Sequence, residues 1–302
     1  MSVTLDTART ATRLDLYKGL LRTARPKQWA KNVLVLAAPV AGGRIFEAAV
    51  LGRTALVFVL FCCAASGIYL LNDALDAEAD RAHPVKRNRP VASGIVPVPV
   101  AFAVGIGLSV SSIVGGALLL NAQTGLLLAV YAVVQILYCL HLKHVAVLDI
   151  AVVASGFLMR GLAGGTATEI APSQWFLVTV GFGSLFVVGA KRASELAKLG
   201  DDAKETRKLL GEYSESYLRF VWQGAAALMM LSYCLWALEP DGSAVAQLRM
   251  LSIVPMTLAV LRYALIVDKG EGGAPEDVLL GDRVILILAA IWTTIYGASV
   301  FL

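Results

Sequence analysis

Residues 50–80 read VLGRTALVFVLFCCAASGIYLLNDALDAEAD. After Arg53 and up to Leu71 this is an uncharged, mostly apolar run of the length a helix needs to cross hydrocarbon, roughly 17 to 25 residues at about 1.5 Å each. At Asn72 the character changes: Asp73, Asp76, Glu78 and Asp80 follow, and then the cations Arg81, Lys86, Arg87 and Arg89. The stretch therefore predicts a membrane-spanning helix that ends in an acidic cluster and a basic loop.

Working outward, the apolar run recurs along the chain. We count about nine runs long enough to span, at residues 32–48 (broken by Pro39 and Gly42-Gly43), 50–72, 95–120, 123–141, 145–165, 173–190, 218–238, 248–268 and 284–302. With 58% hydrophobic and only 16% charged residues in 302, the composition is that of a chain whose solvent is the bilayer. A transmembrane β-barrel would show short alternating segments instead of long continuous ones. The expected fold class is all-α integral membrane with about nine transmembrane helices. Residues 1–31 are expected to form an N-terminal segment, and 32–302 a transmembrane domain with polar loops at 72–94 and 190–217.

Residues 1–31 are polar and basic, without the short apolar stretch of a cleaved signal, so the N-terminus is expected to stay in the cytoplasm. The cations agree. With that orientation, all but four of the 26 Lys and Arg residues fall on the cytoplasmic side; Arg44, Arg53 and Arg249 lie opposite and Arg160 lies within a span. The formal charge of +4 then reflects topology and anion attraction, and nucleic acid is not an expected partner. Both polar loops lie on this side, so the chemistry is expected there. Cys62, Cys63, Cys139 and Cys234 lie in spans without metal-ligand or redox spacing and are expected to pack as small apolar residues.

If the span ending at Asn72 continues as a helix to about residue 80, Asp73, Asp76 and Asp80 stand at i, i+3 and i+7 on one face. Three converging carboxylates repel one another unless a cation sits between them. Hard oxygen ligands without His or Cys suit Mg²⁺, which binds through one or two carboxylates and completes its shell with water and substrate phosphates. Asn72 is a supporting ligand or an orienting group, and the implied substrate is a phosphate or diphosphate. Glu78 falls off the shared face and should meet solvent. Arg81, Lys86 and Arg89 follow closely enough to hold phosphate oxygens; the plainer alternative is a solvated acidic helix end with cations marking the membrane face.

Other candidates carry two readings each. Lys27 and Lys31, one helical turn apart at the start of the first span, suit either a lipid phosphate or interfacial anchoring. Lys191 and Arg192 open the second polar loop and suit a further phosphate. Arg160, deep in a span, either pairs with Asp149 or lines a polar cavity. Tyr138 and Gln135 either line the site or pack between helices. His83, His141 and His144 lack the spacing of a metal triad, and His83 precedes Pro84, where a turn is expected. The glycines at 104–107 and 161–165 suggest close helix contacts, since no strand-to-helix context exists for a nucleotide loop. Residues 198–217 form a mixed-charge amphipathic pattern, either a helix capping the site or a linker lying on the membrane.

Residues 72–80 resemble the first aspartate-rich motif, N-D-x-x-D-x-x-x-D, of the UbiA superfamily of intramembrane prenyltransferases, at the end of the second span as in that family. The stretches Arg25 to Asn32, His83 to Gly94, Leu142-Lys143-His144 with Asp149, and Gly156 to Gly165 resemble the branch that transfers phosphoribose to decaprenyl phosphate. The resemblance covers nearly the whole chain beyond residue 20. It implies a UbiA-like helical bundle, a Mg²⁺-dependent reaction, catalytic roles for Asp73, Asp76 and Asp80, and substrate contacts from the cations above, Lys143 included.

One departure bears on the substrate. Where the superfamily carries a second motif, D-x-x-x-D, this chain reads Lys191-Arg192-Ala193-Ser194-Glu195. One acidic motif and one basic counterpart suit one metal-bound diphosphate plus metal-free phosphates, which fits 5-phosphoribosyl diphosphate with a polyprenyl phosphate acceptor. A prenyl diphosphate with an aromatic acceptor fits less well, and a transporter leaves the clustered aspartates without a purpose. The resemblance also suggests a product used in cell-wall arabinan and a plasma-membrane location. Prenyl chain length stays open, as does a homo-oligomer.

Overall fold

In the computed structural model the described residues are 13–200, 208–239, 245–273 and 275–302; their regular structure is helical, with no strand among them. In chain order the α-helices are α1 (Arg13–Ala24), α2 (Ala37–Ala41), α3 (Ala48–Leu75), α4 (Ala77–Ala82), α5 (Val98–Leu119), α6 (Ala122–Leu140), α7 (Leu148–Thr168), α8 (Gln174–Leu199), α9 (Glu215–Ala237), α10 (Ala246–Asp268), α11 (Pro275–Gly281) and α12 (Arg283–Phe301). Eight of these, α3, α5 to α10 and α12, are long and apolar enough to cross a bilayer. In lipid every backbone N–H and C=O must be satisfied within its own segment, which is why such runs fold as helices. The chain is a multi-pass membrane protein.

The first apolar run departs from the long helix expected at 32–48. Residues Pro26–Leu36 form a 3₁₀ helix and only Ala37–Ala41 are α-helical. Pro39 explains part of this: it has no N–H for the Val35 carbonyl, and its ring crowds that carbonyl in an α-helix. The Val35 carbonyl is instead approached by α7 at Gly164, where a Cβ would collide with it. Gly42 and Gly43, the latter at φ 69°, then end the element.

The chain divides into two compact units: Met1–Val33 with Phe58–Cys139, and Leu34–Val57 with Leu140–Leu302. In the first unit, α3 and α5 approach closely where Gly67 faces Gly105 and Ser109. Leu70, Ala74 and Ala77 form a core there with Val91, Val96 and Ala101. Val91 and Val96 thereby pin the basic loop after α4 to the end of α3, and α1 sits over it with Gly19 against Ile95 and Val96. The second unit has an aromatic core of Phe186, Trp222 and Tyr263, with Phe186 edge-on to Tyr263 at 5.3 Å between ring centroids. Leu209, Leu210 and Tyr213 are buried with Ile150, Ala154 and Val188. The glycine runs at 104–107 and 161–165 thus provide close helix contacts at Gly105, Gly164 and Gly165.

Candidate active site

Helix α3 stops at Leu75. Asp76 adopts φ −88° and ψ 2°, and α4 resumes at Ala77. Backbone hydrogen bonds run through the break, Asp76 N–H to the Asn72 carbonyl at 2.9 Å and Asp80 N–H to the Asp76 carbonyl at 2.8 Å. The helix is therefore distorted at the middle member of the expected face, while Asp73 and Asp80 still turn to one side, where Arg89 reaches both. Asp73 and Asp80 are buried, at 2% and 3% exposure, whereas Asp76 and Asn72 are half-buried and Glu78 is exposed.

Two arginines neutralise the buried pair. Arg89 Nη1 donates to Asp80 Oδ2 at 2.7 Å and to Asp73 Oδ1 at 3.3 Å, while Arg25 Nη2 donates to Asp73 Oδ1 at 2.7 Å. Uncompensated burial of two carboxylates would cost several kcal/mol each, so these bonds are a condition of the geometry. Arg25 was not singled out for this role by sequence; its partner lies 48 residues along the chain. The one available signal was its place in Arg25 to Asn32.

Local structure aims both guanidiniums. Arg25 has φ 54°, uncommon for a residue with a Cβ, and lies over the Tyr69 ring, 4.7 Å from its centroid. The backbone either side is tied to α3: Ser66 Oγ donates to the Ala24 carbonyl at 3.2 Å and accepts from Trp29 Nε1 at 3.0 Å. Arg89 sits in a loop closed by Arg89 N–H to the Lys86 carbonyl and Ser93 N–H to the Arg89 carbonyl, with Gly94 at φ 81° turning the chain toward α5. The Nδ1 of His83 accepts from the backbone N–H of Val85 and Lys86, forming the expected turn.

The remaining cations of this unit lie further out. Lys86 and Arg87 are exposed, and Arg81, also exposed, donates through Nε to the Ala92 carbonyl at 3.1 Å. Lys27 is exposed and Lys31 half-buried. They do not share a face as one α-helical turn would place them, because a 3₁₀ helix repeats every three residues and four steps rotate the side chain about 120°. Tyr138 and Gln135 are half-buried on α6.

A second cluster occupies the other unit. Helix α8 runs on to Leu199, so Lys191, Arg192 and Glu195 are helical neighbours. Arg192 Nη1 donates to Glu195 at 2.8 Å and Nε to Asp149 Oδ2 at 3.2 Å; Lys191 Nζ is 3.9 Å from Glu195. Tyr213 donates its hydroxyl proton to Asp149 Oδ1 and accepts the Val147 N–H at 2.7 Å. Burial first, and the bond to Asp149 second, push the Tyr213 phenol well above its ordinary range. Val147 is β-branched yet sits at φ 70° and ψ −48°, a strained conformation that this bond helps to hold.

Sequence reading offered Arg160 as the partner of Asp149. Both lie on α7, eleven residues or about 16 Å apart along the axis, beyond the reach of a direct pair. Arg160 is buried, donates through Nη1 to the Gly156 carbonyl at 2.6 Å and lies 5.7 Å from the Phe157 ring centroid. Lys143 is half-buried in a short 3₁₀ turn, Leu142–His144. Of the amphipathic pattern at 198–217, residues 201–207 lie outside the described residues, and Lys208–Glu212 is a 3₁₀ turn with Leu209 and Leu210 buried.

The donors around Asp73 fit a hard divalent cation in kind. All are oxygens, two carboxylates are brought within reach of a single guanidinium, and Mg²⁺ needs no more than one or two. A preformed cage is another matter: no three His, Cys, Asp or Glu side chains among the described residues are placed together to hold a metal.

A polytopic helical membrane protein with buried carboxylates under arginine control, at the mouth of a span, is a class suited to handling phosphorylated lipids or diphosphates. The family can be stated: residues 33–298 match the UbiA prenyltransferase family, and the chain belongs to it. It is 46% identical over 290 residues, 95% of each chain, to a decaprenyl-phosphate phosphoribosyltransferase of Mycobacterium tuberculosis. A protein of the same name from Mycolicibacterium smegmatis is 45% identical over 299 residues, covering 95% of this chain and 94% of that one. Among solved structures, a UbiA homologue from Archaeoglobus fulgidus bound to DMAPP and Mg²⁺ superimposes with a TM-score of 0.71 at 17% identity, covering 94% of this chain and 99% of that one. That likeness concerns the fold.

Proposed function

We propose that this membrane transferase moves the 5-phosphoribosyl group of 5-phosphoribosyl diphosphate to a polyprenyl phosphate, decaprenyl phosphate by its relatives' names, and releases pyrophosphate. The observation that carries this reading is identity of 45–46% along nearly the whole length of proteins named for that transfer. The Asp73, Asp80, Arg25 and Arg89 cluster supports it independently, since its chemistry suits a diphosphate leaving group.

Asp73, Asp76 and Asp80, with Asn72, are the residues that would hold Mg²⁺. When bound, the ion supplies positive charge that stabilises the departing diphosphate. Arg25 and Arg89 offer charge-assisted N–H groups to the same phosphate oxygens, and Lys86, one turn before Arg89, adds an exposed ammonium at the approach. The acceptor is a lipid phosphate, already anionic at neutral pH, so its oxygen attacks the sugar C1 without a general base. Catalysis is then positioning and electrostatics, and in-line attack inverts C1. In the second cluster the Arg192 guanidinium is engaged by Asp149 and Glu195, which assigns it to positioning, and Lys191, held more loosely at 3.9 Å from Glu195, is the neighbour better suited to meet a phosphate. The Lys and Arg distribution supports a cytoplasmic N-terminus and active site in the plasma membrane. A role in supplying arabinan precursors follows from the same reading.

The deciding experiment is transfer of labelled phosphoribose to decaprenyl phosphate by the purified protein in detergent, with and without Mg²⁺. Magnesium-dependent labelled lipid is the expected result. If the protein makes none, but prenylates an aromatic acceptor from a prenyl diphosphate, the donor assignment is wrong and the family membership alone stands.

A further inference from the structure

We propose that Arg25 and Arg89 are exchangeable counter-ions of the aspartate pair. In the resting protein they occupy Asp73 and Asp80; when a diphosphate arrives they transfer to its oxygens, so the carboxylates take a divalent cation together with a diphosphate and bind it poorly alone. This rests on reading the cluster as a metal and diphosphate site.

Four observations carry it. Asp73 and Asp80 are buried, so neither can be left without a cation at any stage. The arginines, by contrast, keep about a third of their side chains exposed, 33% for Arg25 and 28% for Arg89. Their contacts with the carboxylates use Nη2 of Arg25 and Nη1 of Arg89, and a guanidinium has five donors in all, which leaves others to engage phosphate before the first bonds break. Finally, the Arg25 guanidinium carbon lies over Tyr69, 4.7 Å from the ring centroid, so its planar group can turn from carboxylate to phosphate while the ring keeps it covered on one side.

Charge balance gives the coupling its direction. A bare divalent cation that enters among Asp73, Asp76 and Asp80 must expel two guanidiniums and leave them without anions in a half-buried site. A diphosphate supplies the missing anions, and the exchange then leaves both guanidiniums and the cation paired. Family resemblance assigns the metal to the aspartates; the hold of Arg25 and Arg89 on Asp73 Oδ1 and Asp80 Oδ2 is what makes the two ligands interdependent.

Equilibrium dialysis of Mn²⁺ against the full-length protein in detergent, with and without inorganic pyrophosphate, tests this without any turnover. Wild type is expected to bind Mn²⁺ about tenfold more tightly with pyrophosphate present. Arg25→Gln is expected to bind Mn²⁺ alone about tenfold more tightly than wild type and to lose most of the pyrophosphate effect. Arg89→Gln, the second variant should the first not fold, is expected to behave likewise, with folding followed by thermal unfolding in the same detergent. Folded variants that bind Mn²⁺ alone no better than wild type overturn the exchange, as does wild-type binding indifferent to pyrophosphate. If wild type binds no Mn²⁺ under either condition and Asp73→Asn is indistinguishable from it, the metal reading beneath the proposal fails as well.

Discussion

The two polar clusters use the same chemistry to different ends. Each buries a carboxylate under an arginine, yet the arginines at Asp73 and Asp80 are partly exposed, while Arg192 is 8% exposed and fastened to both Asp149 and Glu195. The second cluster also has a neutral member: Tyr213 caps Asp149 and receives the strained Val147 N–H. Exposure and bond count decide which ion pair can be opened by a ligand and which is a fixed part of the fold. The first cluster is built to exchange partners, the second to hold a loop in shape.

That contrast can be broken by substitution. Asp73→Asn should lower phosphoribosyl transfer by about a thousandfold or more, because it removes a carboxylate that would hold the cation stabilising the departing diphosphate, while the melting temperature moves comparatively little. A transfer assay beside a thermal melt checks both halves; a large loss of stability with retained activity would reverse the assignment. Asp149→Asn should do the opposite in kind, costing about 3 kcal/mol of stability by leaving Arg192 buried without one of its anions. Chemical unfolding in detergent measures it.

Tyr213→Phe sharpens the comparison, since it leaves Asp149 paired with Arg192 but deprives the Val147 N–H of its acceptor, at a cost of about 1 to 3 kcal/mol. The raised phenol adds a pH signature. A proton held more tightly in the folded state contributes stability that is complete below the unfolded pKa of about 10 and is lost as pH rises above it. Melting temperatures taken from pH 8 to 11 should therefore fall more steeply for wild type than for Tyr213→Phe, and parallel curves would show the phenol to be unperturbed. The smallest effect belongs to Lys86→Ala: with the side chain exposed, the expected change is a rise in KM for the diphosphate substrate of up to about tenfold, diminishing at high salt, with stability unchanged. A salt-independent effect would place Lys86 in the cluster instead of at its approach.

The spans were legible because their signal is local. Residues 50–72 and 284–302 announced α3 and α12 to within a few residues, since a long apolar run in lipid has helix as its only open-ended solution. The first run was less legible: Pro39 and the paired glycines marked trouble, but the 3₁₀ segment from Pro26 and the close approach of Gly164, far along the chain, to the Val35 carbonyl were not visible. The aspartate motif was visible, and the break at Asp76 was not, because nothing in its composition differs from a helix that continues.

What the sequence by itself determined is the membrane architecture, the position of the acidic motif at the mouth of a span and the family likeness, all carried by composition and spacing within short windows. Tertiary structure alone decided the pairing of charges. Arg25 meets Asp73 across 48 residues, Arg192 meets Asp149 across 43 and Tyr213 meets it across 64. A buried charge takes whichever partner the fold brings within about 3 Å, and no local pattern encodes that distance.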